Sequence, residues 1–237
     1  MWKRLVRFGF RLLYNELAWT YDFVAWCVSL GNWKTWGRTS IRHLRGRRIL
    51  ELAHGPGHLL IALKQAGYQP VGIDLSPHMS RQAARRLRRA GIDAPLVRCR
   101  AEALPFRSAG FDDVVAAFPT PYILDPLALR EAARVTGRQG RLVIVAAASL
   151  GRRGLLSQLV DGLYRITGQS EPSPLTLRPL TLRPHGDEPT FAQTGWFIRT
   201  VYEQVGNGSA LLVIGEKSTA EDAEGAENRR PRVVENR

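Results

Sequence analysis

From Arg48 onward, short apolar runs alternate with segments of helical periodicity, the pattern of a parallel sheet with crossover helices. Arg48-Ile49-Leu50-Glu51-Leu52-Ala53 predicts a strand over 48–53, and the turn at Gly55 and Gly57 opens a helix over 57–66. A strand over 70–74 follows and ends in Asp74. Ser76-Pro77 starts a helix over 77–90, because serine suits the N-cap and proline the first turn; Gly91 stops it. Further strands are expected over 95–99, 112–118 and 141–147, with a helix over 126–135 and a turn over 137–140. Two apolar runs, 191–203 and 209–216, are joined through Gly206-Asn207-Gly208, a strong hairpin signal. The sheet therefore finishes with one antiparallel member.

The ends read differently. Residues 1–45 are helical and aromatic-rich, with Lys3, Arg4, Arg7 and Arg11 on one side of a helix and Trp2, Leu5, Val6, Phe8, Leu12 and Leu13 on the other. Such a stripe serves docking on the chain's own domain or contact with an anionic membrane surface. A helix is expected over 151–168. After it, Pro174-Leu175-Thr176-Leu177-Arg178 repeats at once as Pro179-Leu180-Thr181-Leu182-Arg183, which reads as an extended insertion on the rim spanning 169–190. Residues 218–237 have the composition of a disordered tail. The expected organisation is a helical cap over 1–45, one α/β domain over 46–217, and the tail.

Composition narrows the class. With 44% hydrophobic and 23% charged residues, 237 residues suffice for one globular core. The apolar run 23–33 is too short for the roughly 20 residues of a membrane span, and no cleavable leader is evident. Cys27 and Cys99 suggest neither a disulfide framework nor a zinc site, so a cytoplasmic location, with membrane contact at most peripheral, is expected. The net charge of +13 rests on 30 Arg against 4 Lys. It is compatible with solvated helix faces or with an anionic partner.

The chemistry concentrates in the first turn. Gly55 and Gly57 let the backbone approach a ligand and present helix N-terminal N–H groups. A dinucleotide fingerprint would also want glycine at position 60, which is Leu60. Glu51 would repel a pyrophosphate and suits a cationic ligand group instead. Asp74, at the end of the second strand, is placed to accept hydrogen bonds from both hydroxyls of a ribose.

Glu51-x-Ala53-x-Gly55-x-Gly57, Val71-Gly72-Ile73-Asp74, Ala101-Glu102-Ala103-Leu104-Pro105-Phe106, Phe111-Asp112-Asp113-Val114-Val115 and Arg134-Val135-x-Gly137-x-x-Gly140-Arg141-Leu142 occur in one order. In that order they resemble the class I S-adenosylmethionine-dependent methyltransferases, most of all the ubiquinone and menaquinone biosynthesis C-methyltransferase branch. The resemblance implies an α/β, Rossmann-like seven-stranded mixed sheet of order 3-2-1-4-5-7-6, strand 7 antiparallel, with helices on both faces. It implies S-adenosylmethionine as cofactor. The methionine moiety would meet Glu51, Ala53, His54 and Gly55, with Gly57 also part of the cofactor-binding turn, and the ribose would meet Asp74. The adenine would lie against Leu75, Met79, Ala101 and Glu102, with Phe118 bordering the methionine end.

Two departures accompany it. Ala53 replaces the first motif glycine, which is tolerable only at a negative φ. Arg100 stands where the family commonly has an Asp that receives the adenine amino group, and arginine cannot accept a hydrogen bond. On the acceptor side, Thr120 and Tyr122 of Phe118-Pro119-Thr120-Pro121-Tyr122 offer hydroxyls, and Tyr14 and Tyr21 belong to an aromatic cluster that could close over the cofactor. His54 and His58 straddle a glycine turn rather than one helix face, so no metal is expected. No catalytic base is assigned, because alignment supplies much of the rate of methyl transfer. The expected reaction is in-line transfer to a small, apolar or lipid-like acceptor. Nucleic acid is not the expected partner, since the Asn-Pro-Pro-Tyr type of loop is absent, although the charge leaves RNA modification as an alternative. A degenerate, non-catalytic binding protein is the other.

Overall fold

The computed structural model describes residues 32–149, 176–177, 188–206 and 208–217. The amphipathic helix, Tyr14, Tyr21, Cys27, the helix expected over 151–168 and the tail lie outside the described residues. Helix α1 (Trp33–Arg38) and a 3-10 turn (Thr39–His43) lead into β1 (Arg48–Leu52). Then come α2 (His58–Gln65), β2 (Gln69–Ile73), α3 (Pro77–Arg89), β3 (Leu96–Val97) and β4 (Asp113–Ala117). A second 3-10 turn (Pro121–Leu124), α4 (Pro126–Val135), β5 (Arg141–Ser149), β6 (Thr176–Leu177), α5 (Glu188–Gln193), β7 (Trp196–Val205) and β8 (Gly208–Lys217) complete the order.

The sheet runs β3-β2-β1-β4-β5-β8-β7, parallel through β5, with β8 antiparallel to both neighbours. Without the two-residue β6 this is the expected 3-2-1-4-5-7-6 order. Ala148 and Ser149 of β5 pair with β8 on one edge and with β6 on the other. β6 therefore takes the edge that β4 leaves at Ala117, so residues 176–177 of the proline-rich insertion sit at the rim.

Alternation along the strands divides the core. Ile49, Val115 and Val143 pack with Trp36 of α1 and with Leu59 and Leu63 of α2. Leu50, Leu52, Val114, Leu142 and Ile144 pack on the other face against Leu129 of α4 and Phe191 of α5. The Trp196 indole donates to the Leu129 carbonyl at 3.0 Å and lies over Gly215, where a Cβ would come within 3.1 Å of the ring. Ser76 caps α3 by accepting from the Met79 N–H at 3.3 Å, with Pro77 in the first turn.

One expectation fails. Phe191 belongs to α5 rather than to a strand over 191–203, and the strand starts at Trp196 after Gly195 turns the chain at a φ of +87°. The apolar run continues across that reversal because both halves face the same core.

At the foot of the sheet the fully buried Asp113 carboxylate accepts the N–H groups of Arg45 at 2.7 Å, Gly46 at 3.0 Å and Arg141 at 2.7 Å. Asp113→Ala strands three backbone donors in a site closed to water, so a loss of roughly 3–5 kcal/mol of stability is expected. Urea denaturation checks it; a loss under about 1 kcal/mol would show that water replaces the carboxylate.

Candidate functional site

The strand order reverses between β1 and β4, and the chain departs from the C-terminal ends of β1, β2 and β4 in three turns around that point. This is where open α/β sheets bind ligands. A cleft of about 540 Å³ opens there, within the range of small-molecule sites. Ala53, Gly55, Asp74, Leu75, Ala101 and Phe118 line it, with Arg100, Glu102, Thr120 and Tyr122 also in its wall. A smaller recess of about 50 Å³ adjoins it, sharing Ala53, Gly55 and Phe118 and adding Trp33, Lys34, Glu51, His54 and His58.

Asp74 ties the first two turns together. One carboxylate oxygen accepts the Gly55 N–H at 2.9 Å and the other the Ser76 N–H at 2.7 Å. Each oxygen keeps a further lone pair, so the group braces the turn after β1 and can still receive two hydroxyls. Leu75 is 56% exposed beside it, an apolar side chain with ligand-sized space in front. Arg98 donates to the Leu75 carbonyl at 3.1 Å and steadies that wall.

The loop after β3 is held from below. Glu131 accepts the Leu104 N–H at 2.8 Å, while Arg134 bonds Glu131 and donates to the carbonyls of Leu104 and Phe106. Ala101 and Glu102 thereby reach the cleft. Arg100 pairs with Glu102 at 2.9 Å, so one acidic side chain still faces the ligand space at this turn although position 100 is basic.

Two expected contacts are corrected. Met79 is fully buried and lines neither cavity, because the Ser76 cap turns it under α3. Gly57 also stands outside both linings: at a φ of +82° it faces α3, where a Cβ would meet the Ala83 Cβ at 3.0 Å. It serves helix packing.

Two of the three left-handed non-glycine residues among the described residues line the cleft. Ala53 has a φ of +51° and Phe118 of +50°, left-handed values that cost an ordinary residue about 1–2 kcal/mol. The condition under which Ala53 would be tolerated without cost, a negative φ, is therefore not met. The His54 N–H donates to the Ile73 carbonyl at 2.9 Å and the Gly55 N–H to Asp74, so the turn is bonded to β2 from both sides and position 53 must reverse. Phe118 stacks on Trp33, with centroids 4.2 Å apart, and meets the edge of Trp36 at 6.4 Å. Trp33 is the site residue that sequence reasoning missed. Its position in an aromatic cap was legible, but its pairing with Phe118 requires α1 to lie across the end of β4.

The recess floor is chemically unusual. Glu51 is 3% exposed, and its Oε2 has no hydrogen-bond partner among the described residues. Burial, and secondarily the Asp74 charge, push its carboxyl well above the ordinary glutamate value. His54 is buried too, and burial lowers its pKa against the pull of Asp74. Its Nδ1 is 2.7 Å from the Gly55 carbonyl and so carries a proton, and burial favours the neutral ring, in which Nε2 is an acceptor without a partner among the described residues.

The comparisons agree with this geometry. Residues 49–140 match the family model described as "Methyltransferase domain". A demethylmenaquinone methyltransferase of Thermus thermophilus is 34% identical over 139 residues, 56% of this chain and 63% of the relative. The ubiquinone/menaquinone biosynthesis C-methyltransferase UbiE of Syntrophotalea carbinolica is 30% identical over 161 residues, 65% of this chain and 66% of the relative. The chain thus spans just under two thirds of the length of these curated relatives. Among solved structures, an S-adenosylmethionine-dependent methyltransferase of Thermotoga maritima superposes with a TM-score of 0.53 at 18% identity. That match covers 84% of this chain and 96% of the other.

Ala53→Gly should raise stability by about 0.5–1 kcal/mol, the left-handed cost of a Cβ less the freedom glycine adds to the unfolded chain. A higher urea midpoint at unchanged slope is the expected reading; an unchanged midpoint contradicts it. Glu51 titrates with the opposite sign to a salt-bridged acid. Its folded value lies above the unfolded one, so stability is greatest below the ordinary value of 4.5 and falls as pH rises toward the raised value. Glu51→Gln lacks that loss. Over this window it should gain on the parent protein by up to about 1.4 kcal/mol per pH unit, and parallel melting-temperature profiles would refute it.

Proposed function

We propose, from the match of residues 49–140 to the methyltransferase domain family and from the fold around them, that the protein is an S-adenosylmethionine-dependent methyltransferase acting on a small apolar or lipid-like acceptor. The observation that carries this reading is Asp74, a braced carboxylate with two free acceptor positions at the strand-order reversal, facing a cleft of about 540 Å³. The residues present fit the cofactor. Asp74 would hold the ribose diol, and Leu75, Ala101 and Glu102 would flank the adenine. Gly55, Glu51 and His54 would receive the methionine end, whose ammonium matches their unpartnered acceptors.

The bound cofactor supplies a methyl group already activated on a sulfonium sulfur. The protein's part is then alignment and exclusion of water. Phe118 and Trp33 form an aromatic wall of the recess, and their ring faces attract positive charge. Thr120 and Tyr122 border the cleft beyond Phe118, on the side from which an acceptor would approach. The names of the relatives favour a quinone-type ring, and the basic amphipathic pattern of residues 1–13 favours delivery from an anionic membrane surface. Among the described residues no helix is long and apolar enough to cross a membrane.

A second reading, a cofactor-fold protein that binds without transferring, is favoured by the left-handed Ala53 and by Arg100. Calorimetry and a labelled-methyl assay separate the two. S-adenosylmethionine should bind more tightly than about 1 mM, and Asp74→Ala should weaken binding at least about tenfold with its circular dichroism retained. Label should pass to a reduced prenylated naphthoquinone and not to RNA. Absence of binding at millimolar ligand defeats the enzyme reading; binding without transfer to any acceptor supports the second.

A further inference from the structure

The recess under the Ala53–Gly55 turn contains a carboxylate with no partner among the described residues. In the sheet, Glu51 is flanked by Gly72 of β2 and Val115 of β4, so its row offers a hydrogen on one side and an isopropyl group on the other. The space a Gly72 side chain would need is filled by His54 Cδ2 and Leu60 Cδ1, each 2.9 Å from where a Cβ would stand. Ile49, two residues earlier on the same face, is part of the apolar core. An ionised carboxylate in this row would lack both solvent and a cation.

The other charged and titratable groups do not change that. Among the described residues, Lys34 of α1 and His58 of α2 line the recess but are not bonded to Glu51, burial disfavours a charge on His54, and Asp74 opposes a second negative charge. Glu51 and His54 nevertheless both belong to the lining of the recess, and their Oε2 and Nε2 atoms are buried without a hydrogen-bond partner among the described residues. Of the candidate partners, an ammonium alone offers several donors together with the charge that would let a buried carboxyl ionise.

We infer that Glu51 is protonated in the unliganded protein and releases its proton to solvent when the α-ammonium of the cofactor enters the recess, so that cofactor binding is coupled to proton release. The balance is simple: one cation arrives, one proton leaves, and the buried site stays neutral overall. The neutral His54 Nε2 accepts a second ammonium N–H, and its Nδ1 proton stays on the Gly55 carbonyl. The same exchange follows binding of the demethylated product, which retains the ammonium, and is reversed when that product departs.

This deepens the methionine-end assignment proposed above and rests on it, but its test is separate. Calorimetric titration of the full chain in buffers of different ionisation enthalpy counts the protons released. S-adenosylhomocysteine should release about one proton below the raised Glu51 value, and its affinity should climb by about tenfold per pH unit in that range. 5′-Methylthioadenosine, which keeps the nucleoside but has no ammonium, should bind with no release. Glu51→Gln should bind S-adenosylhomocysteine with no release and with affinity independent of pH. Binding of S-adenosylhomocysteine to the parent protein without proton release overturns the inference, as does equal release with 5′-methylthioadenosine or undiminished release in Glu51→Gln. If no adenosyl ligand binds at all, the cofactor reading itself fails.

Discussion

The alignment of the site is set at the opposite end of the sheet, by the buried carboxylate of Asp113. Parallel strands share no hairpin that could set their register, so something else must level them. Asp113 takes the N–H groups of Arg45 and Gly46, which lead into β1, and of Arg141, which begins β5. Its neighbour Asp112 takes the N–H groups of Arg47 and Arg48 and the Arg48 guanidinium. The feet of β1, β4 and β5 are thereby held at one height. Closeness is part of the device: a Cβ on Gly140 would lie 1.9 Å from the Asp112 carbonyl oxygen, and one on Gly46 2.1 Å from the Asp112 Cβ. With the feet level and β1, β2 and β4 each five residues long, their C-terminal ends meet at the cleft together.

That alignment lets the upper ends carry strain. Ala53 and Phe118 both adopt left-handed backbone where glycine would be cheaper, and both lie at the boundary between cleft and recess. Each is overdetermined by its surroundings. The turn at Ala53 is bonded to β2 through the His54 and Gly55 N–H groups, while the Phe118 N–H is bonded to the Val145 carbonyl at 2.9 Å and its ring is packed on Trp33. The reversals turn the chain out of β1 and β4 at the height where the ligand space begins. Local cost and ligand space are two aspects of one geometry.

Most of the sheet was legible because its strands are buried on both faces and so read as continuous apolar runs. The turns at Gly55 and Gly206 and the cap at Ser76 carry their own chemistry, and they bound their elements to within a residue or two. The failures are those that local pattern cannot resolve. Phe191 and Trp196 serve one core from a helix and from a strand, and hydrophobicity does not distinguish them. Met79 and Gly57 occupy motif positions whose direction depends on how α3 lies against α2, which spacing does not encode. The sign of φ at Ala53 follows from the bonds of His54 and Gly55 to Ile73 and Asp74, nineteen residues away along the chain. Trp33 reaches Phe118 only through the placement of α1.

Charge poses a last problem, which the recess answers. A protein of net charge +13 repels a cationic ligand at long range, and the arginines at positions 81, 85, 88 and 89 cover an exposed face of α3 without an acid in that helix. At physiological ionic strength such surface charge is screened over about 8 Å, so it governs approach more than occupancy. What decides occupancy is a carboxyl inside the low-dielectric wall, where an opposite charge is felt strongly. A permanently ionised carboxylate would serve that purpose but would burden the unliganded fold, since nothing in its row compensates it. A neutral acid that ionises only against its ligand avoids the burden, and it reconciles a basic protein with a positively charged cofactor without a fixed acidic patch. The apolar row around Glu51, which looks inhospitable to a binding carboxylate, is what makes its charge conditional on the ligand.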